Sequence, residues 1–120
     1  MPAAVLVVDD DALFRTIVRR QLEALGFAVI EHDKGAGVKE RIAQHRPVAC
    51  LIDLVMDVRD GIETIQDVLA LADRPKVIAV SGNPKFLYMA DGFGIDGTLV
   101  KPVTPERLRD KLAGLELLAS

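Results

Sequence analysis

Short apolar runs alternate with longer amphipathic segments along this chain, and this alternation limits its possible folds more than any other feature. The apolar runs have the length of β-strands and show little alternation of polar and apolar residues. They fall at residues 4–8, 27–30, 48–53, 76–80 and 98–100. Strands that are apolar on both sides are typical of a parallel sheet covered by helices on both faces. The sequence therefore predicts five βα units and a doubly wound α/β fold.

Helices are predicted between the strands, where apolar residues recur every three or four positions. The first helix covers about residues 11–25, and Gly26 follows it in the C-cap position that favours glycine. Its apolar stripe is expected to pack on the sheet and consists of Leu13, Phe14, Ile17, Val18, Leu22 and Leu25. Its polar side is expected to face water and carries Arg15, Arg19, Arg20 and Glu23. Further helices are predicted at residues 37–45, after Gly61, after Pro84 and from Thr104 onwards.

Length and composition indicate a single domain that fills residues 1–120, with no output domain. A chain of 120 residues, half of them hydrophobic, is long enough to bury one core. The formal net charge of -3 gives no basic surface for a phosphate backbone, so direct nucleic-acid binding is not expected. The one cysteine, Cys50, lies in an apolar run and is expected to be buried. No leader and no membrane-spanning run is recognisable, so a cytoplasmic protein without membrane insertion is expected.

Five polar side chains stand where predicted strands end. Asp9 and Asp10 follow the first strand, and Asp53 ends the third. Ser81 follows the fourth strand, and Lys101 follows the fifth. The carboxyl ends of parallel strands lie at one edge of the sheet, which is where ligands bind in open α/β folds. We therefore expect these five side chains to meet in one site.

Taken singly, these residues also have structural explanations. Asp11 is expected to cap the first helix, Ser81 could bond a loop backbone, and Asp53 could cap a turn. Together the carboxylates would repel one another unless a cation lay among them. Lys101 supplies one positive charge, and the hard oxygen ligands of the acidic residues suit Mg²⁺ or Mn²⁺. Such a site is equipped for phosphoryl transfer, in which an aspartate can be the nucleophile.

Four motifs of this chain resemble those of the receiver domain of two-component response regulators. In chain order they are VLVVDDDALFR, LIDLVMDVRDG, VIAVSG and LVKP, and the resemblance covers essentially the whole chain. It implies a flavodoxin-like, five-stranded parallel sheet in the order 2-1-3-4-5, with helices on both faces in three α/β/α layers. It also implies a stand-alone receiver, which either acts on a target protein, as chemotaxis regulators do, or passes the phosphoryl group on to a histidine phosphotransfer domain in a relay.

The resemblance implies a role for each residue of the acidic edge. Asp53 is the expected phosphoryl acceptor, and Lys101 is expected to pair with the phosphoryl group. Asp10 is expected to bind Mg²⁺ directly, Asp9 largely through water, and Val55 through its backbone carbonyl, with Asp53 completing the metal site. Catalysis is expected to be limited to the chain's own phosphorylation and its slow reversal.

Ser81 is expected to be the switch hydroxyl that bonds a phosphoryl oxygen and draws its loop inward. This movement is expected to shift the equilibrium from an inactive to an active conformation, which partner proteins recognise on the face formed by helix 4, strand 5 and helix 5. Phe86 and Tyr88 are candidate partner contacts there, because a helix cannot bury all of residues 86–89 on one face. The Lys101–Pro102 peptide bond is expected to be cis, as in the family.

Two positions depart from the family pattern. Thr98 lies three residues before Lys101, where the family usually has an aromatic switch residue. Asp57 lies where the family commonly has proline, which predicts a looser and more acidic loop. Because Thr98 replaces the aromatic residue, the coupling of Ser81 to the output face is expected to differ or to be absent.

The implied partners are a sensor histidine kinase or a histidine phosphotransfer protein as donor, together with a downstream target protein. A homodimer through helix 4, strand 5 and helix 5 is left open. An alternative is a phosphorylation-independent interaction module that keeps the receiver fold. Thr98 and Asp57, which depart from the family pattern, are the residues that favour it. A small hydrolase or a flavodoxin-like cofactor carrier is disfavoured, because the chain has neither a glycine-rich phosphate loop after strand 1 nor a GxSxG motif.

Overall fold

The computed structural model describes residues 2–54 and 58–118, without the side chains of residues 58–60. Strands and helices alternate strictly along the described chain. In order they are β1 (Ala4–Val8), α1 (Ala12–Ala24), β2 (Ala28–His32), α2 (Val38–His45), β3 (Ala49–Asp53), α3 (Val58–Leu69), β4 (Lys76–Ser81), α4 (Pro84–Asp91), β5 (Gly97–Val100) and α5 (Pro105–Gly114). No helix of the described residues is long and apolar enough to cross a membrane.

The five strands form one parallel sheet in the order β2-β1-β3-β4-β5, as predicted. Successive side chains of a strand point to opposite faces of the sheet, and β1 shows this directly. Val5 and Val7 belong to a core cluster with residues of α1 and α5, whereas Leu6 and Val8 belong to a second cluster with residues of α2, α3 and α4. The fold is therefore a three-layer α/β/α sandwich.

The buried cysteine of β3 behaves as an apolar residue. Cys50 is fully buried in the cluster beneath α2, α3 and α4. Burial raises the pKa of its thiol to about 12. Because the thiolate is the reactive form, this thiol is chemically inert in the folded protein.

The apolar stripe of α1 is narrower than predicted. Val18 and Leu22 are buried, and Phe14 packs against the same cluster. Leu13 is 68% exposed and Ile17 is 46% exposed, so the prediction that both pack on the sheet is wrong. The line of positions 14, 18 and 22 covers the sheet, and positions 13 and 17 lie about 100° further round the helix.

Two predicted boundaries differ from the structure by two residues or more. β2 extends to His32, because backbone pairing with β1 continues through Glu31 and His32 although both are polar. α3 begins at Val58 and includes Gly61, which was predicted to precede it. A Cβ atom at position 61 would lie 3.0 Å from the Leu54 side chain and 3.2 Å from the carbonyl oxygen of Asp53. Glycine is therefore needed there for close approach of the helix to the end of β3.

Three helices begin at a capping side chain, and the cap predicted at Asp11 is among them. Asp11 accepts hydrogen bonds from the backbone N–H groups of Leu13 and Phe14 at the start of α1. Thr104 accepts one at the start of α5, and Asn83 does the same for α4. These bonds satisfy helix N–H groups that have no partner within the helix. They also fix where each helix starts relative to the strand before it.

Candidate functional site

Three carboxylates meet at the carboxyl edge of the sheet. Asp9 and Asp10 follow β1, and Asp53 is the last residue of the neighbouring strand β3. One oxygen from each lies within 4.8 Å of the others. Asp9 and Asp53 are buried, whereas Asp10 is exposed to solvent. The predicted acidic cluster is therefore confirmed.

Lys101 brings one positive charge into this cluster. Its Nζ donates a hydrogen bond to Oδ2 of Asp9 over 2.9 Å and forms an ion pair with Oδ2 of Asp53 at 3.4 Å. Partial burial acts to lower the pKa of Lys101, but the bonds and charges of the two aspartates outweigh it and raise the pKa above its ordinary value. The lysine is therefore firmly charged. With three carboxylates around one ammonium, the cluster keeps an excess of negative charge.

Asp9 is held in place by three further bonds. Its Oδ1 accepts the backbone N–H of Asp11 at 2.8 Å. Its own N–H donates to the carbonyl oxygen of His32 at 3.0 Å, and its carbonyl oxygen accepts Nη1 of Arg15 at 2.6 Å. A buried charge is tolerated when it is paired and hydrogen-bonded. The side chain of Asp9 therefore has a fixed position before any ligand arrives.

An arginine pair behind Asp9 was not anticipated from the sequence. Arg15 and Arg19 were expected to face water, but both bind the carboxylate of Glu31 on β2, with Nε of Arg15 at 3.1 Å from Oε1. The expectation is wrong for Arg15, whose side chain is 17% exposed, whereas Arg19 remains 41% exposed. The network forms because β2 extends further than predicted and carries Glu31 beside α1. Arginines four residues apart, facing a glutamate at a strand end, are the signal that could have indicated this network.

Ser81 ends β4 and is completely buried. Its Oγ accepts a hydrogen bond from the backbone N–H of Asn83 at 3.0 Å. This is the loop-backbone bond that was predicted as a structural role for Ser81. A hydroxyl that accepts one bond retains its own proton to donate. The carbonyl oxygen of Ser81 accepts the N–H of Lys101 at 2.9 Å, which links the two polar residues through the backbone. The Lys101–Pro102 bond is cis, as predicted.

The remaining predicted residues lie away from the carboxylates or outside the description. Thr98 pairs with Ala79 in the sheet and lines a groove of about 420 Å³ between β5 and α5. Tyr88 is 86% exposed, which confirms that residues 86–89 are not all buried, whereas Phe86 is partly buried against the core. Val55 and Asp57 lie outside the described residues.

The donor set of the cluster fits a hard divalent cation. Carboxylate oxygens are the ligands that Mg²⁺ prefers, and Mg²⁺ is commonly bound by one or two carboxylates together with water. Exposed Asp10 and buried Asp53 present oxygens from two neighbouring strands. Lys101 and one divalent cation would together balance the charge of the three carboxylates.

Comparisons with known proteins identify relatives of this chain. Residues 5–113 match the family model of the response regulator receiver domain. The response regulator MprA of Mycobacterium sp. (strain KMS) is 30% identical over 117 residues, which make up 96% of this chain and 51% of that protein. The chain thus spans about half the length of the curated relatives it matches.

Solved structures agree with this family match. A response regulator signal receiver domain from Bermanella marisrubri has a TM-score of 0.86 at 28% identity, over 97% of this chain and 99% of that one. The chemotaxis protein CheY4 of Vibrio cholerae has a TM-score of 0.84 at 25% identity, over 95% of this chain and 98% of that one. The resemblance therefore extends over the whole fold.

Proposed function

This chain belongs to the response regulator receiver family, and we propose that it is a signalling switch that turns on when Asp53 accepts a phosphoryl group. The observation that carries the proposal is the meeting of Asp9, Asp10 and Asp53 at one edge of the sheet, with the ammonium of Lys101 paired to Asp9 and Asp53. The donor is a sensor histidine kinase or a histidine phosphotransfer protein, as is general for receivers of two-component systems. Asp53 is the proposed acceptor because its buried carboxylate pairs with Lys101 and lies close to the carboxylates of Asp9 and Asp10.

In the proposed step, a carboxylate oxygen of Asp53 forms a P–O bond while the P–N bond of a phosphohistidine breaks. The leaving imidazole keeps the bonding electrons and takes up a proton. Lys101 is already paired with Asp53 at 3.4 Å, so its charge is in place for the incoming phosphoryl oxygens. Positioning and charge neutralisation supply most of the rate in such transfers.

A divalent cation completes the proposed site. Asp10 and Asp53 would hold Mg²⁺ directly and Asp9 largely through water, with Mn²⁺ as a substitute. When bound, the ion neutralises charge on the phosphoryl oxygens. Asp9 is already bonded to Lys101 and to the N–H of Asp11, which suits a supporting position. The backbone carbonyl of Val55 remains a further proposed ligand.

The proposed switch begins at Ser81. An added dianion on Asp53 offers strong acceptor oxygens to the Ser81 hydroxyl and to the Lys101 ammonium. Because the Ser81 carbonyl is bonded to the Lys101 N–H, movement of the serine reaches the end of β5 through the backbone. The face of α4, β5 and α5 would then change its affinity for a target protein, with Tyr88 as a contact and Thr98 in place of the usual aromatic residue.

The proposal is tested by intact-protein mass after incubation with acetyl phosphate, a small phosphodonor, in Mg²⁺ and in excess chelator. Wild type should gain one phosphoryl group only with Mg²⁺, and Asp53→Asn should gain none. Asp67→Asn, which removes an exposed aspartate of α3, serves as the matched control and should behave as wild type. A wild type that gains nothing under any condition would favour the phosphorylation-independent interaction module.

The output face is tested separately by NMR. Beryllium fluoride with Mg²⁺ mimics an aspartyl phosphate, and its addition should shift the amide signals of Ser81, Lys101 and the α4–β5–α5 face, including Tyr88. Shifts confined to the residues around Asp53 would show that Thr98 does not transmit the change. The Asp53→Asn variant should show no shifts at either place.

A further inference from the structure

Lys101 has a third neighbour besides the two carboxylates. Its ammonium lies 4.1 Å from the centre of the Phe14 ring, a distance at which a cation is attracted by an aromatic face. We propose that Phe14 holds the ammonium of Lys101 at the acidic edge and is thereby a positioning residue for the cation that meets the phosphoryl group. The effect on phosphorylation rests on the proposed function, whereas the contact itself does not.

Phe14 is fixed from two sides. Its backbone N–H donates to the capping carboxylate of Asp11 at 3.3 Å, in the first turn of α1. Its ring packs against the core cluster that contains Val18 and Leu22, the next residues along the same helix face. Because the helix cap and the core hold Phe14 in place, its ring would not move with the Lys101 side chain. The lysine is therefore the partner that becomes ordered.

The ring complements the carboxylates without competing with them. The Lys101 ammonium has three N–H donors, and it pairs with one carboxylate oxygen each of Asp9 and Asp53. An aromatic face attracts the positive charge but is a far weaker acceptor than a carboxylate oxygen. The ring also covers part of an ammonium whose side chain remains 22% exposed. The long stem of Lys101 is thereby kept from extending into water.

A purely structural role for Phe14 makes a different prediction. If the ring only filled space above the core, a ring of equal size but altered charge distribution would serve equally well. Fluorine atoms on phenylalanine weaken the negative ring face in steps and change its size little. The series 4-fluoro-, 3,5-difluoro- and 3,4,5-trifluorophenylalanine at position 14 therefore separates the two roles. The same series at Phe27, a buried residue of the same core cluster, is the matched control.

The first readout is NMR of the unmodified full chain. The ε-methylene signals of Lys101, identified by their loss in Lys101→Arg, should be shifted upfield by the ring. The shift should decrease with each added fluorine at position 14, disappear in Phe14→Leu and stay constant along the Phe27 series. Lys101 signals without a ring shift in wild type, or a shift unchanged along the Phe14 series, would overturn the proposal.

The second readout is the rate of phosphorylation by acetyl phosphate in Mg²⁺. We expect it to fall roughly three- to tenfold across the Phe14 series and to stay flat along the Phe27 series. Flat rates at Phe14, or equal losses at both positions, would overturn the positioning role. If wild type takes up no phosphoryl group, the proposed function fails, and the NMR series alone decides whether Phe14 holds Lys101.

Discussion

The ammonium of Lys101 lies 2.9 Å from Oδ2 of Asp9, although 92 residues separate the two in the sequence. Asp9 is completely buried, and the lysine is the cation nearest to its carboxylate among the ion pairs of the described residues. An uncompensated buried charge is far more costly than the net gain from making the pair. Removal of one partner should therefore lower the stability of the fold by more than the net gain from forming the pair.

Lys101→Met should lower the free energy of unfolding in excess chelator by about 2 kcal/mol, less than for a fully buried pair because the lysine is partly exposed. Added Mg²⁺ should recover part of this loss, since it supplies the missing charge. Urea denaturation with and without Mg²⁺ measures both. Lys39→Met, at an exposed position of α2, should change the free energy by less than about 0.5 kcal/mol. Equal effects of the two variants would contradict the charge argument.

Asp10→Asn should weaken Mg²⁺ binding by roughly tenfold or more, because it removes the exposed carboxylate of the cluster. Calorimetric titration of Mg²⁺ into the metal-free protein measures the affinity. Asp11→Asn is the control, since asparagine caps a helix as well as aspartate does while one nearby negative charge is lost. Its affinity should fall by less than about threefold by charge alone. A similar loss of Mg²⁺ affinity in both variants would indicate that the ion is attracted by the general negative charge of this edge and is not bound at a defined site.

Acid should remove a stabilising bond at Asp96, far from the acidic edge. Its Oδ2 accepts bonds from Nη1 of Arg74 and from the N–H of Val77, both at 2.8 Å. Burial acts to raise the pKa of Asp96, but these bonds outweigh it, so the pKa lies below its ordinary value of 3.8. Such a carboxyl contributes stability above its unfolded pKa, and this stability is lost as pH falls through the folded pKa.

Wild type should therefore be more stable than Asp96→Asn by about 1 kcal/mol at pH 7, and the difference should shrink below about pH 4. Urea denaturation of both proteins across this pH range gives the difference directly. Asp67→Asn, at an exposed position of α3, should differ little from wild type at every pH. A difference between wild type and Asp96→Asn that stayed constant down to pH 2 would rule out ionisation of Asp96 as its cause.

Leu87 and Tyr88 are adjacent on α4 but face opposite environments. Leu87 is 5% exposed and belongs to the core beneath α2, α3 and α4, whereas Tyr88 is largely in solvent. Leu87→Ala should lower the free energy of unfolding by about 2–4 kcal/mol, and Tyr88→Ala by less than about 0.5 kcal/mol. Thermal or urea unfolding distinguishes them. A large loss in Tyr88→Ala would show that its ring packs on the protein and is no free contact surface.

Gly61→Ala should be destabilising by about 1 kcal/mol, although alanine is the better helix former. The added methyl group would press on Leu54 and on the carbonyl oxygen of Asp53. Gly114→Ala, at the last residue of α5, meets nothing within 4 Å and should be neutral or slightly stabilising. Unfolding curves of the two variants measure this contrast. A Gly61→Ala variant more stable than wild type would show that the Leu54 side chain can move aside without loss of stability.

The covered parallel sheet and the acidic cluster could be predicted from the residues themselves because both depend on backbone rules, whereas the strand order was implied by the family resemblance. Apolar strands specify a covered parallel sheet, and a residue at the carboxyl end of one strand meets its counterparts on the neighbours. The proximity of Asp9, Asp53 and Lys101 could therefore be predicted without knowledge of side-chain packing. The predicted roles of these residues in phosphoryl transfer stay predictions.

Details that depend on side-chain packing could not be predicted. Leu13 and Phe14 are adjacent and both apolar, and only the rotation of α1 on the sheet decides that Phe14 turns inward. The bonds of Arg15 to Glu31 and to the Asp9 carbonyl require the true end of β2. Gly61 was interpreted as a loop residue, because its close approach to Leu54 is a property of the tertiary structure.

The position of Lys101 after the last strand has a consequence for the growing chain. Asp9 and Asp53 leave the ribosome long before Lys101 does, since synthesis runs from the amino terminus. A nascent chain that ends before β5 holds the carboxylates without the ammonium that pairs with them. Docking of β5 on β4 therefore completes the sheet and brings the pairing ammonium to Asp9 and Asp53 in a single event.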